Sequence, residues 1–356
     1  MEQPTRRTTL KDVAAALGLS FTTVSRILRG DALFNEDTVR RVQEKARELN
    51  YRPNIIAQSL ARRGNSFIGL VLRDVLHSFN PEIIAGVQEE VEKNAYSVIL
   101  CNSSLDPRNE RRHLEILMDK LVEGIIITPI TTEAINRQAY QSVIDQQIPL
   151  VMVGNPKIGV KAPYVRVDNI GGGRLAAEHL FGLGHRSFAY ITYSREELLR
   201  HKQTLQTENI ERYQGFRAFI EAQPARCQLH LLEAPESVIT PALCAELLKL
   251  KPRPTALFAY SDMMALQLAR LLIKAGVRVP EEISIVGYDD LEIASLFVPA
   301  LTTIAQPKKE MGRLAAAKMI AMVQGGPEQG IIITPELIAR ESTAQCRVEQ
   351  LVGSTK

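Results

Sequence analysis

The sequence predicts two folds in series: a small all-α helix-turn-helix head, then a large α/β body of doubly wound parallel sheets. Three observations predict it. Two short amphipathic helical stretches meet at a glycine between residues 9 and 29. From residue 66 onward, short apolar runs alternate with stretches of helical period. Charge is also divided. Residues 1–64 carry twelve Lys and Arg against seven Asp and Glu, a net of +5, while the 356-residue chain is +3, which leaves −2 for the remainder.

In the head, Leu10, Val13, Ala14 and Leu17 fall on one face of a first helix. Gly18 supplies its stop, and Ser20 offers an N-cap hydroxyl to a second helix that turns Val24, Ile27 and Leu28 inward. Phe21, Thr22, Ser25, Arg26 and Arg29 are left facing outward. A guanidinium suits guanine edges, hydroxyls suit phosphates and a flat apolar ring suits thymine methyls, so double-stranded DNA is the expected partner. Phe21, Thr22 and Arg26 are expected to read bases, Arg29 a base or a phosphate, and Thr9, Ser20, Thr23 and Ser25 to take phosphates. A third helix follows, capped by Asn35 with Glu36 and Asp37 in its first turn, and ends before Pro53. Asn54 can cap a two-turn segment that Gly64 stops, read either as a plain linker or as a helix that orders on DNA.

In the body, apolar runs at 67–72, 97–101, 124–128, 150–153, 187–191, 256–259 and 283–286 read as buried parallel strands. Helical stretches lie near 81–94, 108–120, 171–183, 212–222, 241–250, 262–276 and 308–323. About 280 residues suit two lobes better than one, with ligands at the carboxyl ends of the strands. The final residues, from about 345, read as a loose tail.

Several classes find no support. No run of about 18 apolar residues predicts a membrane span. Arg6 and Arg7 precede no apolar run, so no signal peptide is expected, and the cytoplasm is the expected compartment. Cys101, Cys227, Cys244 and Cys346 show no paired spacing and read as reduced. Gly171-Gly172-Gly173 lacks a dinucleotide-binding spacing and reads as close packing, and no nucleophile elbow or zinc motif occurs. Neither enzyme activity, a cofactor nor a metal is therefore expected.

The residues resemble the lactose-repressor/galactose-repressor family of bacterial transcription regulators over nearly the whole chain. The marks include Thr9-Leu10-Lys11-Asp12-Val13-Ala14, Thr23-Val24-Ser25-Arg26, Leu49-Asn50-Tyr51-Arg52-Pro53-Asn54 and Ala57-Gln58-Ser59-Leu60. Further on come Leu183-Gly184-His185-Arg186, Arg212-Tyr213-Gln214-Gly215-Phe216, Val286-Gly287-Tyr288-Asp289-Asp290 and Leu301-Thr302-Thr303-Ile304-Ala305-Gln306-Pro307. The resemblance implies a head over 1–52, a hinge over 53–65 and a two-lobed, periplasmic-binding-protein-like body over 66–345, with a tail at 346–356. Lobe 1 would hold about 66–166 plus 300–325, and lobe 2 about 167–299 plus 326–345. It also implies a homodimer on a pseudo-palindromic operator, with Asn54 at the DNA and Leu60 wedged into the minor groove.

For the cleft, the resemblance points to Arg212 and Thr128 and to the loop His77, Ser78, Phe79 and Asn80, which departs from the family's usual patch. Ser261 stands where an asparagine is common. Asp262 fits the pattern but can equally cap a helix. Asp289, directly after a strand, is an acceptor for sugar hydroxyls, with a helix cap as the alternative, and Gln306 can touch ligand or hinge. The charged segment 194–211 is a solvated insertion or part of the cleft rim. With no Trp, a stacking face must come from Phe79, Tyr260 or Tyr288, which favours a small polar effector over a disaccharide. His185 reads as structural. The expected function is repression of a carbohydrate operon under a sugar-like effector. The alternative is a regulator co-repressed by a purine, nucleoside or sugar phosphate, ahead of a solute-binding protein or an enzyme.

Overall fold

The computed structural model describes residues 8–28, 34–51, 67–130, 136–154, 159–193, 207–234 and 239–346. These fall into two units that divide between Ser66 and Phe67.

The first unit is all-α: α1 (Leu10–Leu17), α2 (Phe21–Leu28) and α3 (Glu36–Glu48). The Thr9 hydroxyl and Asp12 carboxylate cap α1 reciprocally, with Thr9 N donating to Asp12 Oδ2 at 2.7 Å. Gly18 ends the helix at φ +65°, a left-handed conformation that glycine adopts without strain. Ser20 Oγ accepts Thr23 N at 3.0 Å and so starts α2 as expected. Asn35 caps α3 through Asp37 N at 2.9 Å. The core is Val13, Ala14, Val24, Ile27, Val42 and Ala46.

The second unit contains two six-stranded sheets, each flanked by helices. The first sheet has the order β11-β5-β4-β3-β1-β2. Its strands are β1 (Phe67–Leu72), β2 (Ser97–Asn102), β3 (Gly124–Ile127), β4 (Leu150–Val153), β5 (Tyr164–Val167) and β11 (Ile331–Ile333). Around it lie α4 (Asn80–Lys93), α5 (Pro107–Asp119) and α6 (Arg137–Asp145). The second sheet has the same pattern, β12-β10-β9-β8-β6-β7. It holds β6 (Ser187–Tyr193), β7 (Gln228–Ala234), β8 (Ala256–Ala259), β9 (Ser284–Asp289), β10 (Thr302–Ala305) and β12 (Glu336–Ile338). With it go α7 (Asn169–Gly182), α8 (Thr207–Glu221), α9 (Pro241–Lys249), α10 (Asp262–Lys274) and α11 (Glu292–Leu296). The long α12 (Lys308–Val323) follows β10 and packs on α4 in the first lobe. Ten of the twelve strands pair only in parallel, and β12 joins β10 antiparallel.

Two lobe assignments from sequence are corrected. Thr302–Ala305 was expected in lobe 1 but pairs with β9 in the second sheet, so the chain crosses back near Gln306 rather than near residue 300. Ile331–Ile333 was expected in lobe 2 but pairs with β5 at the edge of the first sheet. The final crossing therefore lies between Ile333 and Glu336. Both strands are short, and their partners are set by distant hydrogen bonds rather than by local pattern.

Each lobe is cinched by glycines. A Cβ on Gly173 would meet Arg212 O at 2.0 Å, and one on Gly215 would meet Ile170 O at 1.9 Å, so α7 and α8 touch backbone to backbone. In the first lobe, Gly86 and Gly312 stand the same way against Lys309 O at 2.0 Å and Ile83 O at 2.2 Å. The glycine run at 171–173 thus serves packing, as its spacing indicated. His185 is likewise structural, bonded to Thr255, Ser284 and Ala344 O behind the second sheet.

Candidate functional site

Two surfaces carry the expected chemistry, one in each unit. In the head, α2 turns Val24 and Ile27 into the core, which leaves Phe21 at 52% exposure and Thr22 exposed beside it. Ser25 and Arg26 are half-buried on the same helix. The Arg26 guanidinium lies 5.5 Å from the Phe34 ring centre, within cation–π range, so an aromatic face orients it. The hydroxyls of Thr9 and Ser20 already serve as helix caps, and that of Thr23 is bonded to the Ser20 hydroxyl at 2.8 Å. Arg29, Asn54 and Leu60 lie outside the described residues.

In the body, the carboxyl ends of strands from both sheets surround a cavity of about 260 Å³. Arg73 follows β1, Thr128 follows β3 and Gly154 follows β4 on one side; Tyr193 ends β6, Ser261 follows β8, Asp289 ends β9 and Gln306 follows β10 on the other. This is where open α/β sheets present ligand-binding loops. Of the expected residues, His77, Phe79, Asn80, Thr128, Arg212, Ser261, Asp289 and Gln306 line it.

Ser78 and Asp262 do not line the cavity, and both expectations are corrected. Ser78 is exposed on the loop before α4. Asp262 is fully buried: its carboxylate accepts Leu291 N at 2.8 Å and the Thr303 hydroxyl at 2.5 Å. Burial, reinforced by the nearby Asp289 charge, pushes that carboxyl up to about 8. Adjacent residues at a strand-to-helix turn point opposite ways here. Ser261 faces the cavity while capping α10 through Met264 N, and Asp262 ties the β9 and β10 ends together.

Arg212 is the best-held group. Its Nε donates to Asn169 Oδ1 at 2.9 Å and its Nη1 to Tyr260 O at 2.6 Å. The guanidinium lies 3.6 Å from the Tyr288 ring centre and 4.8 Å from that of Tyr260. Its Nη2 stands 3.7 Å from Asp289 Oδ1. Burial opposes this charge, and Asp289 with the tyrosines outweighs it, so the guanidinium titrates above its ordinary value. Burial pushes the Asp289 carboxyl up, while Arg212 and the amide of Gln306, which donates at 2.7 Å, pull it back. Asp289 and Asp290 have φ of +113° and +51°, which is strained for residues with a side chain. Lys308 holds the turn, its Nζ donating to Asp289 O at 2.7 Å and Asp290 O at 2.9 Å and pairing with Glu82 at 3.1 Å. Lys308 thereby joins the two lobes beside the Gln306 crossing.

On the first-lobe wall, Thr128 Oγ1 accepts Arg73 N at 3.0 Å, and the Asn80 amide donates to Asp74 O, so both shape the loop after β1. The His77 imidazole, though its residue is exposed at the cavity rim, titrates below its ordinary value, through desolvation by the surrounding loop first and the Arg73 charge next. Glu110 lies beneath, accepting Ile130 N at 2.7 Å together with the Asn136 amide and Tyr140 hydroxyl. Burial pushes its carboxyl up to about 7.

The sequence reading missed Arg73, Asp74, Arg166, Asn169 and Glu208, all of which line the cavity. Their signal was positional, since Arg73 and Asp74 directly follow β1 and Asn169 directly follows the β5 crossing. Arg166, on β5, donates to Glu211 of α8 at 3.1 Å and links the lobes a second time. Of the charged segment 194–211, residues from 207 are described, and they form the first turn of α8. Glu208 there lines the cavity, which puts that part on the cleft wall.

Known proteins share both units. A model of the lacI family of bacterial regulatory proteins matches residues 9–54, and one of the periplasmic binding protein-like domain matches residues 177–343. The HTH-type transcriptional regulator DegA of Bacillus subtilis is 31% identical over 344 residues, covering 95% of this chain and 98% of its own length. The ribose operon repressor of Escherichia coli is also 31% identical, over 94% of this chain and 99% of its own. In fold, the chain resembles the lac repressor dimer bound to operator and an anti-inducer, with a TM-score of 0.79, 24% identity and coverage of 95% of this chain and all of that one. With a helix-turn-helix head and a two-lobed ligand-binding body in the order these relatives have, the chain belongs to the lacI family of bacterial regulatory proteins.

Proposed function

We propose that this regulator is a sequence-specific repressor of a carbohydrate-utilisation operon, controlled by a sugar-like effector in the interlobe cavity. The observation that carries the reading is the pairing of two surfaces on one chain. One is an exposed recognition face at Phe21 and Thr22; the other is a cavity whose Asp289, Gln306, Asn169 and Arg212 offer acceptors and donors for hydroxyls. In this reading Phe21, Thr22 and Arg26 contact bases in the major groove, Leu60 enters the minor groove, and a homodimer sets two half-sites about one helical turn apart. Effector binding changes the angle between the lobes, and operator affinity changes with it by linkage. The names of the relatives support the class: one is a ribose operon repressor, another a transcriptional regulator.

The test is selection of duplexes from a random pool, followed by gel shifts with and without sugars. An inverted repeat should emerge, and Arg26→Ala should lose about 1–3 kcal/mol of discrimination at one position in each half-site. Enrichment of no inverted repeat, or unchanged discrimination in Arg26→Ala, overturns the recognition scheme.

A further inference from the structure

The cavity walls carry three guanidinium groups, those of Arg73, Arg166 and Arg212, and three carboxylates, those of Asp74, Glu208 and Asp289. Two of the three cations are already used by the protein. Arg212 is held by Asn169, Tyr260 O and Asp289, and Arg166 by Glu211. Arg73 differs. Its backbone N–H donates to Thr128, but its guanidinium has no hydrogen-bond or ion-pair partner among the described residues. It is half-buried, and its charge is felt on both sides of the cleft, by His77 and Glu110 in its own lobe and by Tyr260 in the other. The acids are partly engaged as well. Asp74 Oδ1 accepts Leu76 N at 3.0 Å, and Asp289 Oδ1 accepts Gln306 Nε2 at 2.7 Å.

A half-buried guanidinium on a cavity wall, with no protein partner among the described residues, is best satisfied by a planar oxyanion, which accepts two parallel hydrogen bonds. Size narrows the choice. A space of about 260 Å³ lies at the small end of ligand-pocket volumes, which suits a small polar molecule such as a monosaccharide. The remaining oxygens of Asp74 and Asp289 and the amides of Asn169 and Gln306 suit hydroxyls.

We infer that the effector is an anionic monosaccharide, a sugar acid, whose carboxylate is bound by the Arg73 guanidinium while its hydroxyls face Asp289 and Gln306. This rests on the reading of the cleft as the effector site. A phosphate shares the oxyanion chemistry, so the experiment separates the two sources.

The full chain is titrated by thermal shift and calorimetry with D-glucuronate, D-gluconate and D-galacturonate, with D-glucose, D-galactose and D-ribose as neutral counterparts, and with glucose 6-phosphate. At least one sugar acid should raise the unfolding midpoint, because a ligand that binds only the folded state stabilises it. It should bind roughly ten- to hundredfold more tightly than its neutral counterpart, the usual scale for a hydrogen bond to a charged group. Arg73→Gln should remove that preference, and Arg73→Lys should restore part of it through charge without the fork. Binding of a neutral sugar with no preference for the acid overturns the inference and leaves the effector reading of the cleft intact. Binding of glucose 6-phosphate alone overturns the carboxylate assignment. Unchanged sugar-acid affinity in Arg73→Gln overturns the role of Arg73. Binding of none of the seven compounds overturns this inference and counts against a sugar-like effector as well.

Discussion

Replacing Arg212 with methionine tests the organisation of the cleft most directly. The change keeps an unbranched apolar stem over Tyr288 and removes the donors to Asn169 Oδ1, at 2.9 Å, and Tyr260 O, at 2.6 Å. It also removes the cation 3.7 Å from the buried Asp289 carboxylate, leaving Gln306 as that group's nearest donor. Breaking a buried pair by deleting one partner costs about 3–5 kcal/mol, because the other charge stays desolvated. Against a total stability of about 5–15 kcal/mol, that is a large fraction. The cost should depend on pH in a defined sense. Burial already raises the Asp289 carboxyl, and losing Arg212 raises it further, so the variant's native state keeps a proton there that the unfolded chain releases. Such a group destabilises little below its unfolded pKa and increasingly as pH rises toward its folded one. The deficit should therefore be larger near about pH 8 than near about pH 5.5. Urea unfolding followed by circular dichroism reads it, and a double variant with Asp289→Asn should recover more than about 1 kcal/mol through coupling. A loss below about 1 kcal/mol in the single variant, with no coupling to Asp289, would refute the electrostatic account.

Asp262 offers a second pH test: it is held up to about 8, so wild-type stability should decline between about pH 4 and about pH 8, and Asp262→Asn should flatten that slope in midpoint-against-pH measurements. Gly215→Ala should cost more than about 2 kcal/mol, since the added methyl would sit 1.9 Å from Ile170 O; a midpoint within a degree or two of wild type would mean that α7 and α8 can part freely. Thr9→Ala should cost about 1 kcal/mol of head stability by removing the α1 cap, and thermal unfolding of the head at unchanged secondary structure would miss this loss only if water replaced the hydroxyl.

Strands with unbroken apolar runs were legible in the sequence, because burial on both faces leaves no room for polar residues. β1, β3, β4 and β8 are of this kind. β5 and β7 were not, because Tyr164–Val167 alternates and Gln228–Ala234, an edge strand, exposes Leu231 and carries His230 and Glu233. The α6 stretch 137–145 also escaped, since its short apolar stripe of Ala139, Tyr140 and Val143 is too brief to stand out. In the head, caps and the αL stop are local devices, so the helices could be placed almost to the residue. In the cleft, Arg212, Asp289 and Gln306 stood out through motif and position. Arg166 and Glu208 did not, because what brings them to the cavity is the approach of one lobe to the other. Ser261 and Asp262 mark the limit most clearly: two neighbouring polar residues differ in role only through the direction each takes at a turn.

The glycine crossings have a mechanical consequence. Where Gly86 meets Gly312 and Gly173 meets Gly215, helix backbones are in contact, with no side-chain layer between them to deform. Each lobe is thereby stiffened at one helix pair, and the lobes are joined by three short passages of chain together with the Lys308–Glu82 and Arg166–Glu211 pairs. In the proposed reading, a ligand in the cleft would act on these links, and its effect would be a change of angle rather than a loosening of either half. The cleft can then change its chemistry, one wall residue at a time, while the lever it drives stays the same.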